Sequence, residues 1–280
     1  MDHAQIKERE RTSWSNVAPG WNKYDAILSQ GAAVVTERML DAVRIAPGQR
    51  VLDVACGTGE PAIPAARRVG PTGRVIATDL SEPMIAFAKH KAAAQGVANV
   101  EFRVVDGEEV DVGDGFDAVT MRWGLMFMPD PDACLRRLHS ALRVGGRIAL
   151  TCWTAPDRNP FVSTALAAIR KHVELPAPPP GAPGLFAFAD PERLRSCLAG
   201  AGFREVVVEP VELCFAVFDT GVEAFTMIRE LAGPVAAILA QQPADTRAAI
   251  ERDAVAGYEA LRADGRVALR GVTWLAHATK

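Results

Sequence analysis

A carboxylate inside a short apolar segment and two glycines just after that segment are the residues best placed to do chemistry. Asp53 lies within residues 51–55, and Gly57 and Gly59 come just before Pro61 at a helix start. Glycine lets the backbone turn sharply and lets a ligand approach it closely. The free N–H groups of a helix start can bind such a ligand. A strand, a glycine turn and a helix start together predict a nucleotide site.

The same turn also fits the dinucleotide fingerprint, because Gly57, Gly59 and Ala62 have the spacing G-x-G-x-x-G/A. Asp79 ends the next apolar segment, where an acid can accept hydrogen bonds from two ribose hydroxyls. At this point a nicotinamide or flavin dinucleotide and another adenosyl ligand both stay open.

Two further loops follow predicted strands. Asp106, Gly107 and Glu108 come after the third strand, where a carboxylate beside turn amides can recognise the edge of an adenine ring. Residues 122–130 follow the fourth strand and are apolar and aromatic. This loop either holds an organic substrate or packs into the core beneath the next helix.

The elements that position these loops alternate regularly. Strands separated by helices predict a parallel sheet with helices on both faces. The predicted strands cover residues 50–55, 74–78, 100–105, 116–121 and 147–153.

Residues 1–49 precede the first strand. A helix over 6–17 is expected to end at Ala18-Pro19-Gly20, and a second helix is expected over 29–43. The aromatic residues of the segment either close over a ligand or pack the segment onto the body of the protein: Trp14, Trp21 and Tyr24.

After residue 153 the alternation changes. Helices are predicted at 160–173, 222–241 and 246–262, and a proline–glycine segment at 176–184 separates the first of them from the rest. These helices either form a cap over the strand ends or extend the core or a dimer surface. The predicted strands of this part cover residues 203–218 and 266–278.

Composition excludes several classes of function. The chain of 280 residues has a formal net charge of −3 and no long basic run, so a nucleic-acid partner is not expected. Its polar first residues do not resemble a secretory signal, and no apolar run is long enough to cross a bilayer. The 5 cysteines are scattered and predict small core residues in a reducing, cytoplasmic setting, without a metal site.

In combination these residues resemble a known family, the class I S-adenosylmethionine-dependent methyltransferases. The similarity is greatest to the small-molecule branch that includes the ubiquinone/menaquinone-type C-methyltransferases, and it covers residues 14–153. Five segments carry it in order: Ala18-Pro19-Gly20-Trp21 through Tyr24, Asp53 to Gly59, Asp79-Leu80-Ser81, Asp106-Gly107-Glu108, and Leu142-Arg143-Val144-Gly145-Gly146.

The resemblance implies a Rossmann-like, doubly wound α/β fold. Its sheet would be mainly parallel and seven-stranded, with an antiparallel last strand and a helical cap. The implied organisation is an N-terminal helical lid segment at 1–49, a cofactor-binding core at 50–153, a cap insertion at 154–189, a core continuation at 190–220, a helical cap at 221–265 and the last core strand at 266–280.

The resemblance also implies a set of S-adenosylmethionine contacts. Many relatives have glycine at the position of Ala55, which is a departure compatible with binding. The implied cofactor residues are Trp21, Tyr24, Asp53, Ala55, Gly57, Thr58, Gly59, Asp79, Leu80, Met84, Asp106, Gly107, Glu108 and Arg122. Trp123, Phe127 and His172 are the candidate substrate-binding residues, and His172 is a weak candidate for a general base.

The implied function is methyl transfer to an oxygen, carbon or nitrogen atom of a small, fairly apolar metabolite. Alignment and exclusion of water would supply most of the catalysis, and no catalytic residue is assigned. Two alternatives remain: a cofactor-bound isomerase or cyclase that transfers no methyl group, and a nicotinamide-dependent reductase. A homodimer is a further possibility, since the C-terminal helices can bury against a second copy.

Overall fold

The computed structural model describes residues 2–175, 179 and 181–280, and they form one mixed sheet surrounded by helices. The strands are β1 (Arg50–Val54), β2 (Arg74–Asp79), β3 (Val100–Val104), β4 (Phe116–Arg122), β5 (Leu142–Trp153), β6 (Arg204–Phe218), β7 (Arg262–Ala263) and β8 (Arg266–Thr279). The sheet order is β3-β2-β1-β4-β5-β8-β6, and the two-residue strand β7 pairs with β8.

The topology confirms the predicted doubly wound sheet. Strands β1 to β5 pair in parallel, and β8 runs antiparallel to both β5 and β6. The chain moves outward from β1 through β2 to β3, then returns to β4 on the other side of β1. Ligands of open α/β sheets bind at such a reversal, outside the carboxyl ends of the strands.

Helices pack around the sheet, and none of those in the described ranges is long and apolar enough to cross a membrane. They are α1 (His3–Lys23), α2 (Asp25–Gly31), α3 (Ala33–Ala42), α4 (Ala62–Val69), α5 (Glu82–Ala94), α6 (Pro131–Ala141), α7 (Pro160–Arg170), α8 (Pro191–Gly200), α9 (Gly221–Leu231), α10 (Gly233–Ala240) and α11 (Ala244–Glu259).

The expected end of the first helix at Ala18-Pro19-Gly20 is wrong, because α1 continues through Pro19 to Lys23. Proline normally breaks a helix interior because it removes a hydrogen bond and its ring clashes with the preceding turn. Here Pro19 lies on the exposed side of α1, while Ala18 and Gly20 are buried. A Cβ on Gly20 would collide with the backbone of Glu230 in α9. This close helix contact holds the second half of α1 in place.

Two single helices of the sequence prediction are each divided in the structure. Residues 29–43 contribute to α2 and α3, and Gly31 at the end of α2 packs against the backbone of β6 without room for a Cβ. Residues 222–241 contribute to α9 and α10, which meet at Gly233-Pro234. Proline is favoured at the start of a helix, so this pair begins a new helix and turns the chain.

Helices α7, α9 and α11 pack against one another. The buried Tyr258 of α11 donates its hydroxyl to the carbonyl of Phe161 in α7, at 2.8 Å. Of the predicted proline–glycine segment at 176–184, residues 176–178 and 180 lie outside the described residues. At its end, Gly184 donates its N–H to the carbonyl of Met126 in the loop after β4, at 2.8 Å.

Candidate active site

The carboxylate of Asp53 lies in the interior at the end of β1. It is fully buried, and its Oδ1 accepts the hydroxyl of Thr120 in β4 at 2.6 Å. Its Oδ2 has no hydrogen-bond partner among the described residues. Burial raises the pKa of Asp53 to about 7, although the Thr120 hydrogen bond and the Arg122 charge oppose that rise. A buried carboxylate oxygen without a partner is costly, so it invites a donor from a ligand.

The turn after β1 has the backbone that its glycines predict. Gly57 and Gly59 have φ of 53° and 106°, and nothing lies within 4 Å of where a Cβ on Gly57 would stand. Ala55 also has a positive φ, of 56°. Glycine would adopt this conformation at less cost than alanine does. The open space beside Gly57 is a cradle that a ligand can occupy.

Asp79 of β2 braces this turn. Its Oδ2 accepts the N–H of Gly57 at 2.8 Å, and its Oδ1 accepts the N–H of Ser81 at 2.9 Å. Ser81 in turn caps α5 by accepting the N–H of Met84, at 3.4 Å. Burial raises the pKa of Asp79, while these backbone donors favour its ionised form. Leu80 lies between the two, partly exposed.

The acidic loop after β3 is held by a lysine that the sequence analysis missed. Asp106 accepts the N–H of Glu108 at 2.9 Å, and Glu108 accepts the N–H of Asp130 at 2.7 Å. The ammonium of Lys7 in α1 pairs with Asp106 at 2.8 Å, with Glu108 at 2.9 Å and with Glu109 at 3.1 Å. These hydrogen bonds to carboxylates raise the pKa of Lys7, in spite of its partial burial. Nothing in the sequence around Lys7 signals this contact.

Arg122 ends β4 beside Asp53. Its Nη1 donates to the hydroxyl of Thr36 in α3 at 2.8 Å, and its guanidinium lies 4.9 Å from the ring centroid of Trp123. Burial lowers the pKa of Arg122, while the negative charges of Glu60, Asp53 and Asp25 raise it.

The candidate substrate residues Trp123 and Phe127 have different surroundings. Trp123 is 8% exposed, stacks on Trp153 at 4.5 Å and donates its Nε1–H to the hydroxyl of Thr273 at 3.0 Å. Trp123 therefore belongs to a buried aromatic cluster, as expected if this part of the loop packs into the core. Phe127 is partly exposed and meets the ring of Trp14 in α1 at 5.0 Å, edge to face.

The N-terminal helices contact the loops after all four central strands. Besides Lys7 on the β3 loop and Trp14 on the β4 loop, the hydroxyls of Ser15 and Ser81 lie 3.1 Å apart at the β2 loop. At the β1 loop, Thr58 donates to Asp25 of α2 at 2.9 Å.

Lys91 of α5 holds α2 against the β1 loop. Its ammonium pairs with Asp25 at 2.9 Å and with Glu60 at 3.1 Å, and it also donates to the hydroxyl of Ser29. A cation shared between two partly buried carboxylates from different elements fixes their relative positions.

Three other candidates lie at the ends of α1 and α7. Trp21 donates its Nε1–H to the carbonyl of Leu231 at the end of α9, at 3.2 Å, and Tyr24 caps the carboxyl end of α1. His172 is exposed, and its Nε2 lies 2.9 Å from a carboxylate oxygen of Asp253 in α11. No described contact joins His172 to the strand ends.

The structure therefore brings acids, open glycine backbone and one guanidinium together at the carboxyl ends of β1 to β4. Carboxylates at the ends of β2 and β3 suit a ribose and an adenine edge. The partnerless oxygen of Asp53 and the charge of Arg122 suit a ligand tail that carries both charges.

Comparisons with known proteins find a matching family model and similar curated proteins. The family model of the methyltransferase domain matches residues 45–175. The nocamycin O-methyltransferase of Saccharothrix syringae is 35% identical over 201 residues, which are 65% of this chain and 69% of that protein. A ubiquinone/menaquinone biosynthesis C-methyltransferase of Pseudomonas putida is 31% identical over 171 residues, covering 60% of this chain and 66% of the relative.

A solved structure extends the likeness of fold to nearly the whole chain. The crystal structure of the [4+2]-cyclase SpnF superposes with a TM-score of 0.64 at 20% identity. It covers 98% of this chain and 96% of the cyclase. The helices outside the central sheet therefore belong to an architecture that another protein shares.

Proposed function

Because the chain belongs to the S-adenosylmethionine-dependent methyltransferases, we propose that the carboxyl ends of β1 to β4 bind this cofactor and that the acceptor is a small, fairly apolar metabolite. The observation that carries the proposal is the covered strand edge. Helices α1 and α2 contact each of the four loops at which cofactor residues are expected.

The proposed roles follow the order of the strands. Asp79 accepts the ribose hydroxyls, with Leu80 and Met84 beside the adenine. Asp106 and the backbone of Gly107 and Glu108 recognise the adenine edge. The remaining proposed cofactor contacts surround the methionine end: Asp53, Ala55, Gly57, Thr58, Gly59 and Arg122, with Trp21 and Tyr24 closing the site from α1.

When bound, the cofactor supplies a sulfonium methyl group that is already activated for in-line displacement. The chain has to bind the acceptor, align it and exclude water, and alignment alone corresponds to effective molarities of about 10⁵–10⁸ M. Trp14 and Phe127 provide a partly buried aromatic wall for an apolar acceptor. We assign no general base, and His172 beside Asp253 supports none.

Helices α1 and α2 serve in this proposal as the lid of the site. Ion pairs and hydroxyl contacts hold them over the strand ends, and an opening motion would break these contacts. Helices α7, α9 and α11 form the cap, joined to α1 through the contact between Gly20 and Glu230. We further propose a cytoplasmic enzyme with no nucleic-acid partner, which can form a homodimer through its C-terminal helices.

Calorimetry and product analysis test the function. The protein is titrated with S-adenosylmethionine, S-adenosylhomocysteine and NADH, and is then incubated with labelled cofactor and a panel of quinones, phenols and polyketides. We expect both adenosyl compounds to bind and at least one panel member to gain a methyl group with release of S-adenosylhomocysteine. Binding of NADH alone would contradict the proposal.

The same experiment addresses a second candidate function, since the fold likeness to a [4+2]-cyclase covers nearly the whole chain. A cofactor-bound cyclase or isomerase would convert its substrate without release of S-adenosylhomocysteine. If product forms without release of S-adenosylhomocysteine, the enzyme is a cyclase or isomerase rather than a methyltransferase, and the proposed cofactor site still stands.

A further inference from the structure

Arg122 is a partly buried arginine with few hydrogen-bond partners in the described part of the chain. A guanidinium carries five N–H donors, and among the described residues Arg122 makes a hydrogen bond to the Thr36 hydroxyl and a stacking contact with Trp123. No carboxylate of the described chain lies within ion-pair distance of it.

The three nearby acids, Glu60, Asp53 and Asp25, accept no hydrogen bond from Arg122 in the described part of the chain. Glu60 and Asp25 share the ammonium of Lys91, at 3.1 Å and 2.9 Å. One carboxylate oxygen of Asp53 accepts the hydroxyl of Thr120, and the other has no partner among the described residues. These acids favour a positive charge at Arg122 without saturating its donors.

Arg122 and Asp53 lie on the same face of the sheet. Residue 53 pairs with Thr120, whose hydroxyl it accepts, and side chains two positions apart on a strand share a face. A cation lacking an anion and a carboxylate oxygen lacking a donor thus stand at the ends of neighbouring strands. Their arrangement is complementary to the two charges of an α-amino acid.

Trp123 and Thr36 fix the orientation of the guanidinium. The ring centroid of the Trp123 indole lies 4.9 Å from the guanidinium carbon. The Thr36 hydroxyl accepts a hydrogen bond from one terminal nitrogen, at 2.8 Å. A planar guanidinium held in this way loses little freedom when it binds a carboxylate through two parallel N–H donors.

We propose that Arg122 is the residue that recognises the α-carboxylate of the cofactor's methionine end, across from Asp53, which receives the ammonium group. The inference rests on the proposed function, because it needs the cofactor at the carboxyl ends of β1 and β4. It makes Arg122 a specificity-determining residue, which separates ligands with an intact amino-acid end from those without a carboxylate.

A pair of ligands that differ only in the carboxylate tests the assignment: S-adenosylmethionine and its decarboxylated form. Calorimetry on the wild-type protein should give an affinity about 10- to 100-fold higher for the intact cofactor. In Arg122→Gln this ratio should fall close to one, with little change in the affinity for the decarboxylated ligand. Arg122→Lys keeps the positive charge without the two parallel N–H donors and should give an intermediate ratio of the two affinities. Arg143→Gln is the matched control, because Arg143 pairs with Asp117 away from these strand ends, at 2.7 Å, and it should keep the full preference.

The outcomes separate this inference from the proposed function. If the wild-type protein binds neither ligand, the proposed function itself fails. If it binds both equally, the assignment of Arg122 is wrong while the cofactor site stands. An equal loss of affinity for both ligands in Arg122→Gln would make Arg122 structural and would also overturn the assignment. Thermal melting shows whether Arg122→Gln folds; if it does not, the wild-type ratio and Arg122→Lys decide.

Discussion

The two ends of the candidate site differ in how their charged groups are satisfied. At the β2 and β3 ends, Asp79 accepts two backbone N–H groups, and Asp106 and Glu108 share the ammonium of Lys7. At the β1 and β4 ends, Asp53 has an oxygen without a partner and Arg122 has no ion pair among the described residues.

This difference indicates that the two ends contribute to binding in different ways. The end proposed to bind the nucleoside is held in shape by the protein's own contacts, so it offers a preformed surface to a ligand. The end proposed to bind the methionine part retains the cost of buried, unsatisfied charge until a ligand supplies the missing partners. Variants at each end should therefore change different measured quantities.

The largest expected effect is at the nucleoside end, in Asp79→Ala. This change removes the acceptor of two backbone N–H groups and the proposed partner of the ribose. We expect cofactor binding to weaken by about 1–3 kcal/mol, measured by calorimetry with S-adenosylhomocysteine. Asp117→Ala is the matched control, since Asp117 accepts the N–H of Arg50 at the opposite edge of the sheet, at 2.8 Å. Wild-type affinity in Asp79→Ala would contradict the placement of the site.

At the methionine end, Asp53→Asn should remove a pH dependence. Folding raises the pKa of Asp53 from about 4 to about 7. Its contribution to stability is therefore present below pH 4 and is lost as the pH rises to about 7. Thermal melts of the free protein should show this loss in the wild type and not in Asp53→Asn.

Cofactor binding should follow the opposite trend. In the proposed complex the ionised carboxylate of Asp53 receives an ammonium group, so the affinity of the wild type for S-adenosylhomocysteine should rise by up to about tenfold per pH unit below pH 7. Calorimetry between pH 6 and 8 measures this slope. An equal slope in Asp53→Asn would assign the titration to another group.

A smaller effect is expected for Lys7→Ala. The change leaves the buried carboxylate of Glu108 without its cation, so the free energy of unfolding should fall by about 0.5–2 kcal/mol in urea titrations. Lys23→Ala is the control, since Lys23 pairs with Glu230 at the exposed, opposite end of α1. Concentrated salt should reduce the destabilisation caused by Lys7→Ala only in part. A destabilisation no larger than that of Lys23→Ala would show that the acidic loop does not depend on Lys7.

The smallest expected effect is that of Ala55→Gly. Relief of the positive φ at this position should offset the greater freedom of glycine in the unfolded chain, for a net change within about 1 kcal/mol. Ala65→Gly in the buried interior of α4 should instead destabilise the protein by about 1 kcal/mol or more. The Ala55 methyl group lies within 2.6 Å of where a Cβ on Gly124 would stand, so a larger loss in Ala55→Gly would indicate that this methyl group matters for packing.

Local patterns were sufficient to predict the alternating core. Strands β1 to β5 all correspond to predicted strands, although β5 begins at Leu142, five residues before the predicted start. Ser81 and Asp130 cap α5 and α6 through their side chains. The glycine turn has the positive φ values that its composition implies. The end of the first helix could not be predicted locally, because the contact of Gly20 with Glu230 overrides the helix-breaking tendency of Pro19.

The sequence by itself determined the doubly wound sheet and the acids at its strand ends, because strand, turn and helix signals act between residues a few positions apart. Tertiary structure decided which partners those acids have and where the aromatic residues lie. Lys7 meets Glu109 from 102 positions away, and Trp123 meets Thr273 from 150 positions away. Such contacts depend on how the helices pack onto the finished sheet, and no local pattern encodes them.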